Sequence, residues 1–145
     1  MNTVFPMSYS RLALAGLGAT VAYFAVGFLL FGLLPQLRTE FAKYPAIYRT
    51  QDDMKNVMPA GMLGMLLSIL VLTLLYAGSY RAGAGAAEGA RFGALIGLFA
   101  VGAFVLHNYV NLNIGLKLTA QQAVAYFFEW TIVGLVIGLI YKPAP

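Results

Sequence analysis

The residues best suited to chemistry in this sequence lie in two apolar stretches of its C-terminal half. Residues 104–112 read FVLHNYVNL and contain the one histidine of the chain, His107, together with Asn108 and Asn111. A second apolar stretch contains Glu129, which is far along the chain from any other charged residue. Histidine titrates near neutral pH, and an ionisable group inside an apolar span is usually functional. These residue types predict a site for a proton or a small ligand.

Other chemistry fits the sequence less well. A metal site needs three or four ligands, whereas this region offers His107, Glu129 and little else, and a bis-histidine haem would need a second histidine. The chain has no cysteine, which excludes disulfides and thiolate sites. Hydrolysis needs a nucleophile beside a base, but Ser68 and Thr73 lie in a different apolar stretch from His107. We therefore expect no metal, no cofactor and no catalytic residue.

The composition indicates a membrane protein. Hydrophobic residues make up 61% of the 145 residues and charged residues 10%, whereas soluble domains carry about 25% charged residues. The nine lysines and arginines are scattered singly, as at the flanks of membrane spans. The predicted partner is membrane lipid rather than nucleic acid.

Four apolar stretches are each close to the ~20 residues that cross a bilayer as a helix. We predict spans one to four at residues 12–34, 59–77, 90–112 and 121–141, with Pro59 in the first turn of span two. The first stretch is too long for a signal peptide and is interpreted as a retained span. The predicted fold is all-α: residues 1–145 form one integral membrane four-helix bundle, with a short interfacial segment between spans one and two.

The charges near the span ends give little information on orientation. Four spans place both termini on one side, and that side has four basic residues against five on the other. All four on the terminal side lie close to span ends, which favours termini in the cytoplasm. So small a difference leaves dual topology open.

The glycines of span three mark the face that packs against another helix. At about 100° per residue, Gly89, Gly93 and Gly97 form a ridge of the kind that lets helices approach closely in lipid. His107 and Asn111 fall on the same face, with Asn108 at its border. We therefore expect His107 and Asn111 to point into the bundle.

Span four has two such faces. Gln122, Tyr126 and Glu129 form one polar stripe, whereas Gly134 and Gly138 lie on the opposite side and suit contact with span one or a second subunit. His107 and Glu129 lie at similar depths from the loop between their spans, which predicts a hydrogen bond between them, direct or through one water. The predicted proton- or ligand-binding cluster is His107, Asn111, Gln122, Tyr126 and Glu129, with Tyr23 and Asn108 at its fringe.

The chain resembles small four-span bacterial inner-membrane proteins of unknown function. The features that carry the resemblance are Gly27 and Gly32 in the opening span, the EGARFG entry to span three, the mid-span Glu129 and the closing IYKP. The resemblance implies a bacterial inner membrane and no activity. Small multidrug transporters have the same size and span count, but their essential carboxylate lies in the first span, which has none here.

Two functions remain open at this point. The first is ligand or proton binding linked to transport, by a bundle that can form homo-oligomers. The alternative is a non-catalytic accessory subunit or scaffold of a larger membrane complex, which the Gly134 and Gly138 pair favours. In the alternative, Glu129 only locks two helices together. The sequence names no ligand for either function.

Overall fold

The computed structural model describes residues 7–81 and 83–142, and this part of the chain is helical with no strand. Four of its helical segments are long and apolar enough to cross a membrane: Tyr9–Leu33, Gln51–Gly78, Ala86–Asn111 and Leu116–Ile140. They correspond to spans one to four. The all-helical class predicted from the sequence is therefore confirmed, and the four long apolar helices support its multi-pass membrane character.

Two of the spans are not regular α-helix along their whole length. Span one is α-helical over Tyr9–Gly27 and continues as a π-helical segment, Phe28–Leu33. Span three is α-helical over Ala86–Ala100, then π-helical over Val101–Leu106, and ends in the α-helical turn His107–Asn111. Spans two and four are continuous α-helices, and the short helix Pro35–Phe41 follows span one.

Span two begins at Gln51 rather than at Pro59. The Thr50 hydroxyl accepts a hydrogen bond from the Asp53 N–H at 3.2 Å, and acidic Asp52 and Asp53 occupy the first turn. Such a cap and such charges stabilise a helix N-terminus. Pro59 is therefore inside the helix, not in its first turn as predicted from the sequence, a position that membrane helices tolerate.

Spans three and four approach most closely, glycine against glycine. A β-carbon on Gly138 would lie 2.8 Å from the Gly89 Cα, and one on Gly93 would lie 2.9 Å from the Gly134 Cα. Small residues on both helices let the backbones touch, which is how helices associate in lipid. The Gly134 and Gly138 pair thus faces span three, not span one or a second subunit as we expected.

The main contacts arrange the spans in the order two, one, four, three. Span four packs on span one through a buried core that includes Ala19, Val133 and Ile137. Span two packs on span one, and near the terminal side the Tyr76 ring also meets Phe92 of span three at 5.4 Å. The first half of span two, residues 51–64, is exposed along its whole length. Span two therefore packs on the other helices mainly at its terminal end, and its loop half extends away from them.

Candidate functional site

Glu129 lies in the middle of span four, about 20 Å along the helix from Leu116 and about 16 Å from Ile140. The residue is 1% exposed. Its Oε1 faces the backbone of span one, where a β-carbon on Gly27 would lie 2.7 Å away. Its Oε2 is buried and has no hydrogen-bond partner among the described residues. A carboxyl group is therefore held between spans one and four with incomplete hydrogen bonding.

Aromatic side chains surround this carboxyl group. Tyr23 of span one and Tyr126 of span four both interact with it electrostatically. The Tyr23 ring packs on Trp130 at 5.3 Å, and the Tyr126 ring packs on Phe31 at 5.6 Å. Within residues 7–81 and 83–142, no lysine, arginine or histidine forms an ion pair with Glu129. The carboxyl thus has phenol groups as neighbours but no counter-ion.

A line of polar side chains leads from Glu129 towards the loop end of the molecule. Gln122, Tyr126 and Glu129 are spaced four and three residues apart and so share one face of span four. The Gln122 Nε2 donates a hydrogen bond to the Tyr48 hydroxyl at 3.3 Å. Tyr48 is half-buried in the connection between spans one and two. One hydrogen bond therefore joins the segment between spans one and two to Gln122, and Tyr126 lies between Gln122 and Glu129 on the same face of span four.

The same face is apolar in the other direction. Val133 and Ile137 follow Glu129 at intervals of four residues, and Tyr141 continues the series. All three are buried in the core that spans one, two and four form. On span four, polar side chains thus flank Glu129 on the loop side only, whereas Tyr23 of span one packs on Trp130 on the terminal side.

The connection between spans one and two is fixed to the start of span four by two further contacts. The Gly115 N–H donates to the Tyr44 hydroxyl at 2.8 Å. Glu40, in the short helix, accepts hydrogen bonds at 2.7 Å from the ammonium groups of Lys43 and Lys117. The hydrogen bonds from Lys117 and Lys43 hold the pKa of the Glu40 carboxyl below its usual range. Tyr48 is therefore part of a segment that has a defined position over span four.

His107 does not join Glu129. His107 is exposed, and neither residue makes a hydrogen bond to the other. The π-helical segment just before His107 holds one residue more per turn than an α-helix and rotates the residues after it by about 100°, and residues 106–111 are all exposed, so this end of span three has no buried face. In a regular α-helix the residue four after buried Ala100, Phe104, would be buried as well. Instead Phe104 is 60% exposed and Val105, five residues after Ala100, is 2% exposed. The expectation that His107 and Asn111 point into the bundle was therefore wrong.

The structure thus divides the predicted cluster. Gln122 and Glu129 are buried and Tyr126 is half-buried on the inner face of span four, while His107, Asn108 and Asn111 are exposed. Tyr23, expected at the fringe, lies beside the carboxyl. Whether these residues bind a ligand or a proton stays a prediction.

The Ser68 and Thr73 hydroxyls of span two are bonded within their own helix. The Ser68 hydroxyl donates to the Gly64 carbonyl at 2.9 Å, and the Thr73 hydroxyl donates to the Ile69 carbonyl at 2.7 Å. Among the described residues, no three side chains of histidine, aspartate or glutamate come together as a metal would require. The chemistry of the site is therefore that of Glu129 and its neighbours.

Sequence reasoning missed the roles of Gly27, Tyr48 and Glu40. Gly27 faces Glu129 only because spans one and four are neighbours, which no pattern in either span encodes. From the sequence alone, Tyr48 is interpreted as an aromatic residue at the membrane interface. Glu40 is interpreted as one of several acidic and basic residues between spans one and two. Gln122, the partner of Tyr48, and Lys117, the partner of Glu40, are 74 or more residues away along the chain. Local sequence patterns therefore cannot predict these contacts.

Comparison with protein-family models, with curated proteins and with solved structures finds no match to this chain. The resemblance to small four-span inner-membrane proteins therefore stays an expectation.

Proposed function

We propose that this multi-pass membrane protein binds and releases a proton at Glu129, and that this exchange serves transport. The observation that carries the proposal is the carboxyl itself, which is 1% exposed in the middle of a span and has an unpartnered oxygen. A charged carboxylate there costs about 2.5–3.5 kcal/mol on insertion scales, and such residues in spans commonly belong to proton relays. An interhelical polar contact averages about 0.6 kcal/mol, so a structural lock would not offset that cost.

The surroundings of Glu129 favour a proton over a larger ligand. Two apolar grooves of about 250 and 340 Å³ lie on the surface, and Glu129 lines neither of them. The carboxyl instead faces span one at Gly27, and Tyr23 and Tyr126 are close enough to interact with it electrostatically. A phenol hydroxyl can donate to a carboxylate or accept from a carboxylic acid, so these two side chains suit either protonation state of Glu129.

The proton would reach the site from the loop end. The route runs from Tyr48 through Gln122 and Tyr126, and release to the opposite side requires a second conformation in which the core at Val133 and Ile137 opens. In a bacterial inner membrane with both termini in the cytoplasm, as the sequence favours, this route opens to the periplasm. A small organic cation that reaches the carboxyl along the same route is the other ligand class that the charge of Glu129 would accept.

Proton flux across sealed vesicles tests the proposal. Purified protein is reconstituted into liposomes that contain a pH-sensitive dye, and an imposed pH gradient is followed in the wild type and in Glu129→Gln. We expect flux in the wild type and its loss in the variant. Glu88→Gln is the matched control, because Glu88 is exposed and paired with Arg91 at 2.7 Å. Flux that is unchanged by Glu129→Gln, or lost equally in both variants, would contradict the assignment.

Chemical labelling tests binding separately from transport. A hydrophobic carbodiimide reacts with protonated carboxyl groups in apolar surroundings, and mass spectrometry of the digested protein locates the adduct. We expect an adduct at Glu129 that diminishes as the pH is raised, and none at the exposed Glu88. If Glu129 is labelled but the protein shows no flux, Glu129 is a proton-binding site that is not linked to transport.

The alternative function, an accessory subunit or scaffold, now depends on span two. The glycine pair that favoured it packs against span three, but residues 51–64 of span two are exposed and Gly61 and Gly64 have open space beside them. This face would contact a second copy or a larger complex. Cross-linking in native membranes through single cysteines at Gly61 and, as a control, at Val110 on span three would distinguish an interface at span two from random collision.

A further inference from the structure

An apolar groove follows the outer side of span four near its loop end. Its volume is about 340 Å³. One wall is formed by the end of span one and the short helix, with Leu30, Leu34 and Leu37. The other wall is span four, with Gln121, Val124 and Phe128. Apart from the amide of Gln121, these six side chains are apolar.

Positive charge lies at the loop end of the groove. Lys117 is one helical turn before Gln121, and the spacing of four, three and four residues places Lys117, Gln121, Val124 and Phe128 on one face of span four. Glu40, one turn after Leu37 in the short helix, binds the ammonium groups of both Lys117 and Lys43. Two lysines and one carboxylate leave this cluster with an excess of one positive charge.

The cluster keeps its lysines available to a further anion. The side chains of Lys117 and Lys43 are 70% and 57% exposed, while that of Glu40 is 5% exposed. A lysine ammonium group has three donor hydrogens, and the single contact with Glu40 uses one from each. The buried carboxylate thus lies between two exposed lysines that each keep donors not used by Glu40. Basic residues at this depth, next to the end of a span, meet the phosphate layer of a bilayer.

The amide of Gln121 lies one turn deeper than Lys117. Its Oε1 is buried and has no hydrogen-bond partner among the described residues. In a phospholipid, ester groups lie just below the phosphate, and the Gln121 Nε2, rather than its acceptor Oε1, is the atom that can donate to an ester carbonyl. From the loop end inwards, the face therefore presents a cation, an amide and then an apolar surface, the same order as phosphate, ester and acyl chain.

We propose that this groove binds one molecule of an anionic phospholipid, with its phosphate on Lys117 and Lys43 and an acyl chain between Leu34 and Val124. The charge of the cluster selects for a net negative headgroup. The size of the groove selects for a chain rather than a helix, because an α-helix is about 10 Å across with its side chains. The site is separate from Glu129, which does not line the groove.

Lipid retained by the purified full-length protein tests this site. The protein is reconstituted in vesicles of equal phosphatidylglycerol and phosphatidylcholine, extracted in mild detergent, and its bound lipids are counted by native mass spectrometry. We expect phosphatidylglycerol to exceed phosphatidylcholine in the wild type. Lys117→Gln should lower that ratio about fivefold, the effect of one basic residue near an anionic headgroup. Lys55→Gln, in an exposed ion pair with Asp52 on span two, is the matched control and should leave the ratio unchanged.

Two more variants separate the lipid site from a structural role of the ion-pair cluster. Glu40→Gln adds one net positive charge, so it should preserve or raise retention of phosphatidylglycerol, whereas a purely structural cluster would lose lipid in this variant as in Lys117→Gln. Val124→Trp fills the groove and should lower retention of both lipids, while Val110→Trp, on the exposed face of span three, should not. Equal retention of the two lipids by the wild type, loss in Glu40→Gln, or full retention in Val124→Trp would each overturn the proposal.

Discussion

Gly27 of span one and Glu129 of span four face each other so closely that a β-carbon at position 27 would lie 2.7 Å from the Glu129 Oε1. The carboxyl occupies the space that a side chain at position 27 would otherwise fill. Span one therefore sets the position of the acidic group of span four. Gly27 is also the last α-helical residue before the π-helical segment of span one, and such segments are frequent at functional sites.

Substitution of Gly27 by alanine should move the carboxyl without unfolding the protein. The group that must yield is the end of a flexible side chain, at a cost of about 1 kcal/mol, and alanine recovers a similar amount in helix propensity. We expect a melting temperature close to that of the wild type and a clear change in proton flux and in carbodiimide labelling of Glu129. Gly18→Ala is the matched control, because its β-carbon would meet the end of Ile140 at 2.6 Å. Equal flux in both variants would show that the position of the carboxyl is unimportant.

Substitution of Gly93 by alanine should destabilise the protein. A β-carbon there would meet the backbone of span four at the Trp130 carbonyl and at Gly134, and a backbone cannot move aside as a side-chain end can. Overpacking of this kind costs about 1–3 kcal/mol. Gly102→Ala, in the same span, has nothing within 4 Å and should be neutral. Unfolding in detergent, followed by circular dichroism, measures the difference, and equal stability of the two variants would contradict the close approach.

Substitution of Gln122 by leucine should slow the delivery of protons to an intact Glu129. Leucine is similar in size but cannot donate to the Tyr48 hydroxyl as the Gln122 Nε2 does, so the polar line is interrupted between Tyr48 and Tyr126. Flux in vesicles should fall while carbodiimide still labels Glu129 at long times. His107→Ala serves as the control, because the imidazole is exposed and outside the polar line. A larger effect from His107→Ala than from Gln122→Leu would reject the route.

The ion pairs of Glu40 should resist mild acid. Lys117 and Lys43 hold the pKa of Glu40 below its ordinary value of 4.5, so the unfolded chain takes up this proton at a higher pH than the folded protein does. The stabilisation is fully present above pH 4.5 and is lost as the pH falls through the lowered pKa. Wild type and Glu40→Gln should therefore differ in melting temperature at pH 7 and converge in stronger acid. Asp52→Asn removes an exposed ion pair and should change little at any pH; a difference between Glu40→Gln and wild type that is constant with pH would contradict this.

The sequence predicts those features of the structure that depend on residues close together along the chain. Span existence follows from hydropathy, because a run of about 20 apolar residues has few alternatives to a membrane helix. The glycine ridges of spans three and four are also local patterns. Which ridge meets which was not predictable, since Gly134 and Gly138 could equally have faced span one.

The misplaced histidine shows a second limit. The position of His107 was derived from a uniform turn of about 100° per residue, and the π-helical segment at Val101–Leu106 breaks that assumption just before the residue concerned. Nothing in VGAFVL distinguishes it from an α-helical sequence. By contrast, Gln122, Tyr126 and Glu129 lie in a continuous α-helix, so the same calculation placed them on one face as the structure does.

Span two is held mainly at one end. Tyr76 fixes its terminal end against Phe92 and Tyr141, while its loop half makes few contacts and only borders the groove that Phe24 lines with Met58 and Met62. A helix that is packed at one end only meets the least resistance to a swing of its unpacked end. Flexible methionine side chains along the free half can repack as the gap to span one widens or narrows. A swing of the loop half of span two would therefore break fewer contacts than a movement of spans one, three or four, which are joined through span four.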